Sequence, residues 1–229
     1  MSLPIEVKDL SFQYEEGAAK ILRHLDLSVA KGEIVGIVGL SGIGKSTLCF
    51  CLSGIIPHVY GGIMEGEVLL NGQSSRELSL PTIATTLGLV FQNPDHQLFA
   101  FNVEDELAFG PENLCVPRAE IARRIEEVLA IVGMQDYRHA NPQQLSGGQR
   151  QLIAVAAVLC LQPEILIFDE AMSQIDAEGR AKLKAVMLRL KDQGKTMVMI
   201  DHDLDNLQIA DRVLVLKEGR LFPYTGSLS

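Results

Sequence analysis

Cationic charge is scarce in this chain. Its 229 residues hold 20 Lys and Arg against 29 Asp and Glu, a formal net charge of -9. Such a surface repels polyanions as a whole, which argues against nucleic acid as a partner and requires any phosphate affinity to be local. Long apolar runs are missing too. The longest, residues 152–161, is about half of the ~20 residues that span a bilayer, so the chain is expected to be soluble. The first residues carry Glu6, Lys8 and Asp9, which is not the pattern of a signal peptide. Cysteines are few and scattered: Cys49, Cys51, Cys115 and Cys160 form no C-x-x-C pair and have no His cluster beside them. Buried free thiols in a reducing cytoplasm are expected rather than zinc. There is no N-K-x-D motif, with which a GTPase would read its base, no internal repeat and no low-complexity tract. With 47% hydrophobic residues, the chain can bury a sizeable core as one large domain or two lobes.

The most informative stretch is GLSGIGKS, Gly39 to Ser46, followed by Thr47. It fits G-x-x-x-x-G-K-[ST], a phosphate cradle. Gly39, Gly42 and Gly44, with Ser41 between them, let backbone N–H groups turn inward around an anion. Lys45 reaches the outer phosphates, and the Ser46 hydroxyl can ligate Mg²⁺. The flanks agree: residues 33–38 (EIVGIV) read as a buried strand, and residues 46–52 begin a helix whose N-terminal dipole favours negative charge.

Around this loop, residues 5–14 and 25–29 alternate as half-buried antiparallel strands, and residues 67–70 before Asn71-Gly72 add a strand and a tight turn. Residues 88–91 are a short buried strand stopped by Asn93-Pro94. From there to about Pro142 the pattern is helical. Residues 117–132 place Ile121, Ile125, Val128, Leu129 and Val132 on one face, with Gly133 to end the helix. Ser146 can cap a helix running to Leu161, residues 165–168 form a buried strand, and Asp176 can cap a helix carrying Leu183, Val186, Met187 and Leu190. Strands at 196–200, 213–216 and 220–222 follow. This alternation predicts a mostly parallel sheet covered by helices.

Two further motifs carry chemistry. The strand at 165–168 ends in Asp169-Glu170; beside Ser46, Asp169 can hold the Mg²⁺ shell and Glu170 can orient and deprotonate an attacking water. The string Leu145-Ser146-Gly147-Gly148-Gln149 opens a helix, where bare amides and the dipole make a second anion site.

With LSGGQ, the chain resembles the ATP-binding subunits of ABC transporters over essentially its whole length. The other marks stand in the family's order: Tyr14, Gln92, Asp169-Glu170, the segment from Ser173 to Asp176, and His202. The resemblance implies an α/β P-loop NTPase fold, with a RecA-like core, an antiparallel β-subdomain and an inserted α-helical subdomain. Residues 1–92 and 160–229 would form the core with the β-subdomain, and residues 93–159 the helical one, in a single ABC ATPase domain. It also implies ATP and Mg²⁺ as ligands and a head-to-tail dimer, in which Ser146, Gly147, Gly148 and Gln149 of one subunit close on ATP held by the other's phosphate loop. By the same resemblance, Tyr14 stacks on adenine, Gln92 senses Mg²⁺ and the γ-phosphate, and His202 contacts the γ-phosphate and aligns Glu170. Asp201, Asp203 and Asp205 are expected to be caps and solvated charge.

A narrower likeness lies in residues 91–99 and 103–113. Pro94, Asp95, Gln97 and Leu98 are similar to a short helix of the energy-coupling factor branch, whose ATPases power uptake of vitamins or of cobalt and nickel ions. This implies a homodimer or a heterodimer with a related ATPase, a transmembrane coupling subunit, a substrate-binding membrane subunit, and a place on the cytoplasmic face of the membrane. A non-transport ABC ATPase acting on nucleic acid or ribosomes is the alternative. Such proteins tend to carry heptad insertions, zinc cysteines or a basic linker, and none is seen here. The chain departs from the family at Ala171-Met172-Ser173-Gln174-Ile175-Asp176, where Pro-Thr-Ser-Ala-Leu-Asp is usual, which puts contact across the dimer in question. Members of the branch commonly continue beyond the last hairpin, whereas this sequence stops at Ser229, as a short form or the first half of a tandem ATPase would.

Overall fold

The computed structural model describes residues 2–226; Met1 and residues 227–229, the outer ends of the expected domain, lie outside the described residues. The elements in chain order are β1 (Ile5–Gln13), β2 (Leu22–Val29), β3 (Ile34–Val38), α1 (Lys45–Leu52), α2 (Ile55–His58), β4 (Ile63–Leu70), β5 (Gln73–Ser74), α3 (Leu80–Thr86) and β6 (Leu87–Val90). Then come α4 (Val103–Asn113), α5 (Arg118–Val132), α6 (Gly147–Leu159), β7 (Ile165–Asp169), α7 (Ala177–Asp192), β8 (Thr196–Asp201), β9 (Arg212–Lys217) and β10 (Arg220–Pro223).

Two sheets form. One has the order β2-β1-β4-β5 and is antiparallel throughout. The other has the order β10-β9-β3-β8-β7-β6; its strands run parallel except β10, which returns as a hairpin on β9. Between β6 and β7 the regular structure is wholly helical.

The central strands read as unbroken apolar runs because both of their faces are covered. Side chains alternate across a strand, and here the alternation splits them between two cores. Ile34, Val38, Leu166, Phe168, Met197 and Met199 belong to a core built with α4 to α7. Val35, Ile37, Ile165, Ile167, Val198 and Ile200 belong to another, built with the antiparallel sheet and α1. The parallel sheet is therefore the shared wall, and its C-terminal edge is where a ligand site in such a fold opens.

Local caps follow the sequence closely. Ser146 makes a reciprocal capping box with Gln149 at the start of α6, and Asp176 caps α7 through the Gly179 N–H at 2.7 Å. Gly133 ends α5 in the left-handed region, φ 71°. β2 begins at Leu22 rather than at Leu25. A register shift against β1, with Asp9 and His24 both at positive φ, breaks the alternation by which its first residues would be recognised. α3 carries no strong apolar stripe, burying only Ile83, and its Ser79 cap with proline inside the first turn is the signal that marks it.

Two expectations are corrected. Cys115 is exposed, not buried, because it sits at φ 56° in the turn after α4; Cys49, Cys51 and Cys160 are buried. Asp201 is not solvated charge: it is buried at the end of β8, with its carboxylate accepting from protein donors. Among the described residues no helix is long and apolar enough to cross a membrane.

Candidate functional site

The loop between β3 and α1 is shaped by glycine. Gly44 has φ 106°, and a Cβ on it would stand 2.6 Å from Ile21 Cγ2, so both conformation and space demand glycine. Gly42, at φ 76°, turns the loop outward with nothing near it, while Gly39 is packed against the Leu216 carbonyl. Ser41, Gly42 and Ser46 face solvent.

Lys45 is buried, and its Nζ donates to the carbonyls of Gly39 at 3.0 Å and Leu40 at 2.9 Å. The ammonium thus staples the loop and still lies 3.1 Å from Glu170 Oε1. Behind it, Thr47 meets the hydroxyl of half-exposed Tyr14 at 3.2 Å, and the Tyr14 ring stands edge-on to Phe12. One face of that ring remains available beside the cradle.

The acids come from the adjacent edge of the sheet. β7 ends at Asp169, whose carboxylate is buried. Burial pushes its pKa above the usual carboxylate range and the Glu170 charge adds to this, while Ser46, Cys49 and Lys45 pull the other way. Its Oδ1 has no hydrogen-bond partner. An acceptor left unpaired against a serine hydroxyl and a phosphate loop is the chemistry of a divalent-cation ligand. Cys49 was not foreseen in this position. Only the folded sheet brings it there: buried on α1, it lies against Asp169, and its thiol is pushed up chiefly by burial and then by Asp169.

Glu170 takes φ 49°, a left-handed conformation that costs a non-glycine residue energy. The neighbouring strand holds it there: its N–H donates to the Ile200 carbonyl at 2.7 Å, and its carbonyl accepts from Ser173 Oγ at 2.8 Å. Its carboxylate lies between Lys45 and the Nδ1 of His202, the latter at 3.1 Å from Oε2. Gln92, past the end of β6, donates to Ser173 Oγ at 3.1 Å. Lys45, Asp169, Glu170, Gln92 and His202 are thus linked through contacts along one edge of the sheet.

Ser146, Gly147, Gly148 and Gln149 lie elsewhere. Gln149 is occupied with the capping box, and Gly148 packs so tightly on Gly179 of α7 that a Cβ would meet its Cα at 3.1 Å. Among the described residues, no hydrogen bond or ion pair joins this segment to the phosphate loop. The unusual stretch keeps its apolar pattern: Ala171, Met172 and Ile175 enter the core, and Gln174 points outward.

Beyond Gln92 the chain is pinned back on α6. Gln97 donates to the Ala154 carbonyl, Gln151 donates to that of Phe91, and buried Glu106 accepts from the N–H groups of Phe99 and Ala100. This pinning leaves the rings of Phe99, Phe101 and Phe109 in solvent, with Phe99 and Phe109 packed edge to face at 4.6 Å.

The chain is similar to known proteins over most of its length. A profile of the ABC transporter family matches residues 22–173, more than half of the chain. The energy-coupling factor transporter ATP-binding protein EcfA of Methanosarcina acetivorans is 42% identical over 95% of this chain and 77% of its own length. EcfA1 of Streptococcus pneumoniae, of the same description, is 42% identical over 95% of this chain and 78% of its own. Among solved structures, CbiO1 of Clostridium perfringens, part of the ABC transporter complex CbiONQ, superposes with a TM-score of 0.86 at 28% identity, covering 97% of this chain and 88% of its own.

Proposed function

The chain belongs to the ABC transporter family as an ATP-binding, ATP-hydrolysing component, and we propose that it powers an energy-coupling factor type importer for a vitamin or a transition-metal ion. The observation that carries the chemical part is the junction of Lys45, Asp169, Glu170 and His202 at one sheet edge. Lys45 binds the outer phosphates, and the exposed amides of Gly42 and Gly44 wrap them. Ser46 and Asp169, with Gln92 beyond them, would hold Mg²⁺, which neutralises phosphate charge; the unpaired Asp169 Oδ1 supports that assignment. Glu170 takes the proton of the attacking water, and His202 aligns it. Tyr14 offers its free face to the base.

Two copies, or this chain and a related ATPase, close head to tail, so that Ser146 to Gln149 of one complete the site of the other. The hydrogen bonds of that segment are local to its own helix start, and among the described residues none reaches its own phosphate loop, which supports this reading; residues 93–159 then swing as a lobe against 1–92 and 160–229. The exposed rings of Phe99, Phe101 and Phe109 support an apolar contact with a transmembrane coupling subunit; on this reading the chain works at the cytoplasmic face of the membrane, with a separate membrane subunit selecting the solute. The alternative of a nucleic-acid or ribosome ATPase finds no support in these relatives or in the net charge of -9.

Sedimentation of Glu170→Gln with and without Mg-ATP tests the shared site. An ATP-dependent dimer is expected. A persistent monomer that still binds ATP would refute self-pairing and require a different ATPase partner.

A further inference from the structure

Asp201 ends β8 with 3% of its surface exposed. Three donors hold its carboxylate: the N–H of His202 at 2.8 Å and of Asp203 at 3.0 Å, both to Oδ1, and Asn206 Nδ2 to Oδ2 at 2.9 Å. Asn206 is buried as well, so that last bond is shielded from water. A carboxylate withdrawn from water is costly unless its lone pairs are met, and this one is met by the turn that carries His202. The same Oδ1 is 3.5 Å from His202 Nδ1, which also faces Glu170 Oε2 at 3.1 Å.

A ring nitrogen that faces two carboxylates carries the proton, because ionised carboxylates only accept. Nε2 is then the nitrogen left for an outside ligand. Glu170 has a second cation beside it in Lys45, at 3.1 Å, and divides its charge between the two, whereas Asp201 is locked by its own bonds to the turn. We propose that Asp201 is a positioning residue. Backed by Asn206, it fixes the His202 backbone and keeps the Nδ1 proton turned toward Glu170, so that Nε2 is presented to the phosphates. The inference rests on the ATPase reading for its kinetic consequence but not for its proton assignment.

The protonated nitrogen is read directly by NMR of chain labelled with ¹⁵N-histidine at mildly alkaline pH, with His202 assigned among the five histidines through a His202→Gln variant. The Nδ1–H form is expected in the parental chain and also in Glu170→Gln, where Asp201 alone remains ionised beside it. In Asp201→Asn the signal should move toward a mixture of tautomers. An unchanged tautomer in Asp201→Asn would overturn the proposal.

Kinetics separate positioning from turn stability. Asp201→Asn should lower kcat by ~10-fold or more, with KM for ATP within about twofold, the order expected when a reacting group is misplaced. Adding Asn206→Asp restores a donor–acceptor pair in the buried bond but moves the charge away from His202, so Tm should recover while kcat stays low. Recovery of kcat together with Tm would reduce Asp201 to a cap. In a His202→Ala background Asp201→Asn should have little further effect, because residues that act as one unit are not additive; an equal loss there would show that Asp201 does not act through His202. If the parental chain hydrolysed no ATP, the ATPase reading would fall, and the tautomer measurement would still decide the role of Asp201.

Discussion

Lys45 Nζ stands 3.1 Å from Glu170 Oε1, which ties the glycine loop of the first half of the chain to the acid that follows β7 in the second. Lys45 is almost fully buried and the Glu170 side chain only 16% exposed, so the pair is largely shielded from solvent. Lys45→Ala removes the staple on Gly39 and Leu40 together with the phosphate ligand, and should weaken nucleotide binding by about 2–5 kcal/mol, as loss of one partner in a buried charge contact does. Glu170→Gln keeps shape and binding but removes the base, and kcat should fall by roughly 10²–10⁴. Nucleotide titration beside steady-state hydrolysis checks both; parental turnover in Glu170→Gln would remove Glu170 as the base.

Asp169 should be a stability liability held for function. Burial raises its folded pKa above the unfolded carboxyl value of ~3.9. The sign follows from linkage: the folded chain binds this proton more tightly, so stability from this group is full below that value and is lost as pH rises through the folded one. Asp169→Asn should therefore raise Tm at pH 7, by about 2–4 °C for each kcal/mol relieved, and the gain should shrink toward pH 3. The same variant should lose Mg²⁺-dependent hydrolysis. A lower Tm at pH 7 would show that the ionised carboxylate stabilises this fold.

Phe101 is 89% exposed and lies two residues from Phe99, whose exposed ring packs on that of Phe109. Phe101→Ser should leave hydrolysis by the isolated chain within about twofold while reducing stimulation by a reconstituted transmembrane subunit by ~10-fold or more, as loss of an interface anchor does. Equal stimulation of both proteins would remove this face from the interface.

Thiol reactivity should divide the cysteines. Burial pushes the Cys51 and Cys160 thiols up to about 12 and raises Cys49 as well, whereas Cys115 is exposed. Nucleophilic thiolate is accordingly scarce at the three buried positions. A disulfide reagent at pH 8 should titrate one thiol quickly in the folded chain and four in denaturant, and Cys115→Ser should abolish the fast phase.

Much of this was legible in the sequence. The phosphate loop, the acids after residues 165–168, the caps at Ser146 and Asp176 and the stop at Gly133 are local features, set by neighbours within a few residues, and the structure places each on its expected element. β2 was read short because a register shift breaks its alternation, and α3 was passed over because it buries only Ile83. Asp201 was read among caps and solvated charges; it does cap the turn after β8, but its burial depends on Asn206 and on the return of the chain past β8, which pattern alone does not reveal.

What the sequence determined by itself has short range: the glycine loop between β3 and α1, the strand that ends in Asp169-Glu170, and where helices start and stop. Tertiary structure alone decided the distances between them. It set Lys45 against Glu170, Cys49 against Asp169 and Asp201 against His202. The physical reason is that parallel strands distant in the chain become neighbours only when the sheet assembles, and burial, which raises the Asp169 pKa and encloses the bonds of Asp201, exists only once both of its faces are covered.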